Sequence, residues 1–168
     1  MNTLSGTLRF NEMMAALKKH GYRITPQRVE LLKLVSESKD HPSASQCYKK
    51  IRLRFPTISQ ATVYKTLATL KQIGQVFQVD LHNDSHYDGC HPEPHPHLVC
   101  TQCGHIADGD AALAANLLAG LQVGTGYTQL QPQITLYGLC PECQAEPQPT
   151  VFSNGANAPL NQLDADRT

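Results

Sequence analysis

The sequence predicts an α+β protein in two parts, and three observations carry that expectation. Four segments with helical apolar spacing and readable ends occupy residues 10–74; a short apolar stretch with a possible return strand follows them. Beyond it, strand-like segments flank one helical pattern and end on two C-x-x-C pairs, Cys100/Cys103 and Cys140/Cys143. The expected divisions are a first unit over 1–85, a second over 86–145 and a disordered tail over 146–168, where Pro, Asn, Asp, Gln and Ala replace any apolar period.

The helices of the first unit are legible from their ends. Phe10, Met13, Met14 and Leu17 recur at helical spacing and the pattern stops before Gly21. Thr25-Pro26 restarts it, with threonine as N-cap and proline at the first helical position, and Leu31, Leu32 and Val35 form the apolar stripe. Ser43-Ala44-Ser45-Gln46 has the form of a capping box ahead of Cys47, Tyr48 and Ile51, and Phe55-Pro56 ends that helix. Ser59 caps a fourth, in which Val63, Leu67 and Leu70 face inward until Gly74. Val76, Phe77, Val79 and Leu81 then alternate in part, with His86-Tyr87 as a possible partner strand. Helices followed by a small hairpin make a winged helix, whose last helix enters the DNA major groove. Arg23, Gln60, Thr62, Tyr64 and Lys65 are the candidate DNA contacts, Tyr64 toward a thymine methyl or the backbone and Lys65 toward a base edge or phosphate.

In the second unit, Leu98-Val99, Ile106-Ala107 and Ile134 to Leu139 read as strands and Ala111 to Leu121 as a helix, a small α/β arrangement. Paired C-x-x-C motifs separated by residues 104–139 suit a closed tetrathiolate Zn2+ site that fastens the knuckle to the last strand. The histidines just upstream, His86, His91, His95 and His97, stand among acidic residues and suit a second, more exchangeable site for iron, manganese or zinc. Cys47, within an apolar helical pattern, is expected in the core, and His91 and His105 are expected to face solvent.

Charge separates the two parts. Residues 1–80 carry 13 Lys and Arg against 5 Asp and Glu, a net +8, while residues 81–168 carry 1 against 9, a net −8. The basic half suits phosphate binding and the acidic half suits cations. No apolar run behind a basic start and no long apolar stretch occurs, so a cytoplasmic address with no membrane partner is expected. A zinc-dependent deaminase would need proline directly before the first cysteine, and Val99 stands there; a metal-storage protein would leave the +8 half unexplained. Neither an enzyme nor a small organic substrate is expected.

Three stretches carry a family resemblance. Gly21-Tyr22-Arg23-Ile24-Thr25-Pro26-Gln27-Arg28, Ser59-Gln60-Ala61-Thr62-Val63-Tyr64-Lys65-Thr66-Leu67 and His95-Pro96-His97-Leu98-Val99-Cys100-Thr101-Gln102-Cys103-Gly104 resemble the ferric uptake regulator family over about residues 9–145. The resemblance implies a homodimeric, metal-dependent repressor that binds a double-stranded DNA operator through an N-terminal winged helix and pairs through its second domain. It also implies a regulatory Fe2+ or Mn2+ site at His41, Asp88, His95, His97 and Asp108. Aspartate at both acidic positions resembles the peroxide-sensing branch, where iron and peroxide oxidise a ligand histidine, here His41 or His95. The zinc-uptake branch offers an alternative, in which Cys90 joins His95 and His97 with a fourth ligand from His82, His86 or Asp80. The stretch from Asp88 to His95 is one residue longer than in the peroxide sensors.

Overall fold

A computed structural model of the chain describes residues 3–81, 84–91 and 93–145. Four helices open it: α1 (Thr3–Lys19), α2 (Pro26–Glu37), α3 (Ala44–Arg54) and α4 (Gln60–Gln72). Their ends follow the sequence signals. Thr25 Oγ1 accepts from the Arg28 N–H, the Ser43 capping box with Gln46 closes in both directions, and Ser59 accepts from the Thr62 N–H. Gly21 and Gly74, just past α1 and α4, take φ of 74° and 68°, the left-handed conformation that costs glycine least.

Met13 and Leu17 of α1, Leu31, Leu32 and Val35 of α2, Cys47 and Ile51 of α3 and Val63, Leu67 and Leu70 of α4 form one apolar core. Cys47 is fully buried there, and burial pushes its thiol pKa up to about 12, so it packs as an inert hydrophobe. A hairpin follows: β1 (Phe77–Leu81) pairs antiparallel with β2 (Asp84–Asp88), with Phe77 opposite Asp88. Tyr87 and Val76 anchor the hairpin to the helical core, completing the winged helix. The division expected between residues 85 and 86 falls inside β2, whose whole length is paired with β1.

The second sheet has the order β4-β3-β5. Here β3 (Pro96–Cys100) runs antiparallel to β4 (Ile106–Asp108) and parallel to β5 (Ile134–Gly138). The parallel pairing needs a crossover, which α5 (Ala111–Thr125) supplies, capped by Asp110 and ended by Gly126 at φ 72°. This helix runs one turn beyond the expected Leu121, and a short α6 (Pro141–Ala145), absent from the sequence reading, carries Cys143. Val79 and Leu81 of β1 bury themselves with Val99 and Ile106, so the hairpin packs on both parts of the chain. The tail expected over 146–168 lies outside the described residues.

Leu67 is fully buried in the first core. Leu67→Ala is expected to lower unfolding stability by about 2–5 kcal/mol through lost burial and the cavity left behind. Urea titration followed by circular dichroism measures this, and a loss below 1 kcal/mol, roughly the scale of a surface substitution, would contradict the packing.

Candidate metal centre

An H-x-H pair in a strand places both imidazoles on one face, because alternate residues share a face. His97 is the second residue of β3 and His95 precedes the strand by one, and both are buried. Opposite His97 in the register stands Asp108, the last residue of β4. Asp88 ends β2; its Oδ1 accepts from the N–H groups of Cys90 and His91, which turns Oδ2 toward the histidines. The fifth group comes from the first unit. His41 sits between α2 and α3 with φ of 45°, in the left-handed region where a residue other than glycine carries strain. It is held there by its neighbours: the Tyr87 N–H donates to Pro42 O, and His86 Nδ1 lies 2.7 Å from His41 O.

Donor atoms of His41, Asp88, His95, His97 and Asp108 all lie within 4.8 Å of one another. His41 Nε2 is 2.8 Å and His95 Nε2 3.3 Å from Asp108 Oδ1, His95 Nε2 is 3.2 Å from Asp88 Oδ2, and His97 Nε2 is 4.0 Å from each carboxylate. Metal bonds of about 2.1 Å put adjacent octahedral donors about 3.0 Å apart and opposite ones about 4.2 Å apart, which is the range seen. Nε2 of His41, His95 and His97 and Oδ2 of Asp88 are buried without a well-aligned hydrogen-bond partner. Four such atoms aimed at one point would be a heavy unsatisfied load, and a single divalent cation satisfies all four. The donor set fits a hard or borderline ion such as Fe2+, Mn2+ or Zn2+.

Electrostatics divides the rings. The Asp88 carboxylate facing His95 raises its pKa to about 9, whereas burial, and then the neighbouring His95 and His41, lower His97 to about 4. Asp88 itself stays below the usual carboxylate range: its burial is outweighed by His95 and the Cys90 N–H. Phe77 packs its ring edge-on against His95 at 5.8 Å and walls the site.

The second cluster is made of sulfur. Cys100, Cys103, Cys140 and Cys143 bring their Sγ atoms within 4.8 Å of one another, and Cys103 and Cys140 are 3.8 Å apart. That is the edge of a tetrahedron with zinc–sulfur bonds of about 2.3 Å. Parallel pairing sets Cys100 opposite Gly138 and so delivers Cys140 to the knuckle, where Gly104 turns at φ 74°. Against the effect of burial, N–H groups of Cys103, Cys140 and Gln102 lower the Cys100 thiol to about 6, toward the thiolate that zinc binds. Four sulfurs would close a zinc site and leave no open position of the catalytic kind.

The alternative zinc ligands are arranged differently. Cys90 is outside both groups of converging atoms, and burial and then the Asp88 carboxylate raise its thiol pKa. His86 faces the His41 carbonyl, Asp80 is bonded to Gln78 and Ser85, and His82 lies outside the described residues. On α4, Gln60, Thr62, Tyr64 and Lys65 are exposed, Gln60 Nε2 donating to Tyr64 Oη at 3.3 Å; Arg23 is exposed in the connector before α2. His105 is exposed, as expected.

Sequence reasoning missed two supports and one neighbour. His86 braces His41 through a ring-to-carbonyl contact that leaves no spacing signal. Arg9 is buried and donates to Gly89 O at 3.0 Å and to Gln75 O at 2.6 Å, joining α1 to both ends of the hairpin, where a lone cation in a helix reads as solvated. His91, half exposed, stands 3.2 Å from Asp108 Oδ2.

Comparison with known proteins agrees with this architecture. The model of the ferric uptake regulator family matches residues 19–137. A peroxide-responsive repressor, PerR, of Staphylococcus epidermidis is 33% identical over 135 residues, covering 80% of this chain and 90% of the relative. The Campylobacter jejuni peroxide stress regulator superposes with a TM-score of 0.63 at 34% identity, over 77% of this chain and 98% of that one. A zinc uptake regulator solved with zinc and DNA superposes at 0.61 with 25% identity, over 83% and 95% of the two chains. The chain belongs to the ferric uptake regulator family. It is a metal-responsive, DNA-binding transcriptional repressor of a family whose members are typically homodimers, with a sulfur cluster suited to structural zinc and an imidazole and carboxylate cluster suited to a regulatory ion. Among the described residues, no helix is long and apolar enough to cross a membrane.

Because His95 titrates near 9, it carries a proton at neutral pH that a bound cation must displace, while His97, near 4, is already neutral. Binding near neutral pH is therefore expected to release about one proton per site, with affinity rising as pH climbs toward 9 and levelling above it. Calorimetry in buffers of different ionisation heat measures the number; heats independent of buffer would contradict the arrangement.

Proposed function

We propose that this chain is an iron- and peroxide-responsive repressor whose regulatory ion is held by His41, Asp88, His95, His97 and Asp108, with Cys100, Cys103, Cys140 and Cys143 holding structural Zn2+. The units would divide near residue 85, with DNA read by the first. One observation carries the reading: His41, from the α2–α3 connector, meets donors from β2, β3 and β4 within 4.8 Å. A cation bound by all five ties the helical unit to the second sheet and fixes the angle between them. In a homodimer that angle sets the spacing of two α4 helices against two half-sites. The exposed side of α4 would present Gln60, Thr62, Tyr64 and Lys65 to the major groove, with Arg23 alongside. Such a regulator works in the cytoplasm, where the operator is.

The peroxide reading is supported by aspartate at both acidic positions and by the two relatives named for peroxide at 33% and 34% identity. Ferrous iron, when bound, supplies electrons that reduce hydrogen peroxide beside the coordinating rings. By family resemblance, His41 or His95 is the ring expected to gain oxygen; both stand beside Asp108 Oδ1, at 2.8 and 3.3 Å. An oxidised ring binds metal poorly and frees the His41 side of the clamp. The closed four-sulfur cage gives no support to zinc catalysis.

Two outcomes test the proposal. Protein that keeps its sulfur-bound zinc but lacks the second ion should bind operator at least about tenfold more weakly than the Fe2+ or Mn2+ form, and Asp108→Ala should behave like it even with metal added. Equal affinity for the two forms in a salt-controlled titration rules the clamp out. Peroxide treatment of the Fe2+ form should add one oxygen to the peptide carrying His41 or His95, while the Mn2+ form is spared; an unmodified iron form that stays on DNA refutes the sensing step.

A further inference from the structure

Asp108 divides its two oxygens between different neighbours. Oδ1 points inward, 2.8 Å from His41 Nε2 and 3.3 Å from His95 Nε2, whereas Oδ2 points to His91 Nδ1 at 3.2 Å. The same His91 nitrogen is 3.6 Å from Asp88 Oδ2, and its ring stands nearly perpendicular to that of His95 at 5.4 Å. Asp88 is already fixed by backbone, since its Oδ1 accepts from the Cys90 and His91 N–H groups. Among the described residues, no backbone N–H donates to the Asp108 carboxylate. Its side chain is also the least enclosed of the five, 27% exposed where those of His41, Asp88, His95 and His97 are 4% or less.

We infer that His91 is a positioning residue for the regulatory cation: its Nδ1, 3.2 Å from Asp108 Oδ2, would turn by a small ring rotation to donate to that oxygen and so hold Asp108 in one orientation on the solvent side of the site. The inference rests on the five-donor reading above. A carboxylate with a free second oxygen rotates, binds through one oxygen or two, and yields readily to water. One whose second oxygen is hydrogen-bonded keeps a single orientation, and such supporting bonds typically govern metal affinity by 10–100-fold. Asp108 and His91 together form the open rim, so the bond lies on the exit route of a divalent first-row cation. His91 itself is 48% exposed and buries no core surface, so its replacement leaves the fold intact.

The test uses the full chain with its sulfur-bound zinc, loaded with Co2+ or Mn2+, as wild type, His91→Ala, His91→Asn and Asp108→Ala. The asparagine amide places an N–H donor near the position of Nδ1. His91→Ala is expected to bind one ion with about tenfold lower affinity and to release it faster into a chelator, with the Co2+ absorption intensity unchanged. His91→Asn should recover most of both. Unchanged affinity and release in His91→Ala overturn the inference. So does a changed Co2+ intensity that asparagine fails to restore, which would make His91 a ligand in its own right. Wild-type binding by Asp108→Ala would instead bring down the five-donor reading, a failure distinct from the first.

Discussion

The approach of His41 to Asp108, 2.8 Å between Nε2 and Oδ1, is the constraint on which the molecule turns. It is the point where a basic helical unit meets an acidic sheet. Two carboxylates and three imidazoles share a small, mostly buried volume, and four of their inward atoms have no well-aligned hydrogen bond. Burying such groups is unfavourable unless each is satisfied. A divalent ion held there would do so and would offset the charge of Asp88 and Asp108 at once, so that on the proposed reading the preference for the closed arrangement comes from the ligand as well as from the protein.

The apolar contacts agree with that division of labour. The helical core is large, drawing on all four helices and the hairpin, while the cluster joining hairpin to second sheet consists of Val79, Leu81, Val99 and Ile106. A seam held by four side chains is modest beside the core it adjoins. The hairpin is therefore a shared element: Phe77, at one end, walls the metal site, Leu81, at the other, packs on the second sheet, and Arg9 ties its base to α1. Gly89, immediately after Asp88, lies so close to α2 that a Cβ there would stand 3.0 Å from Val35 O and 2.8 Å from Met13 Cε. The segment after Asp88 is thus pressed directly onto α1 and α2.

Much of this was legible in the sequence, for local reasons. Caps at Thr25, Ser43 and Ser59 and glycines at 21 and 74 are one-dimensional signals with one-dimensional causes, and the elements began and ended close to them. The two C-x-x-C pairs and the H-x-H pair carry their geometry in their spacing. The joining of His41 to Asp108 across the fold was available only through family resemblance, because no local rule relates residues so far apart. The roles of Arg9, His86 and His91 were invisible: each acts through a contact with a carbonyl or a carboxylate oxygen that only the folded chain brings near. The helix expected over Ala111 to Leu121 runs on to Thr125 before Gly126 caps it, because Gly124 is carried within the last turn rather than ending it.

The crossover helix leaves one further mark. Among its residues only Ala114 is buried, while Leu113, Leu117 and Leu121, with Leu136 and Tyr137 of β5, are between 45% and 62% exposed in the single chain. An apolar surface of this extent is the kind that a second copy of the chain would cover. Were α5 and β5 to pair with a second copy, dilution would work against the site: mass action would withdraw stability from the sheet that carries His97 and Asp108. The metal level needed for operator binding would then depend on how abundant the chain is as well as on the ion.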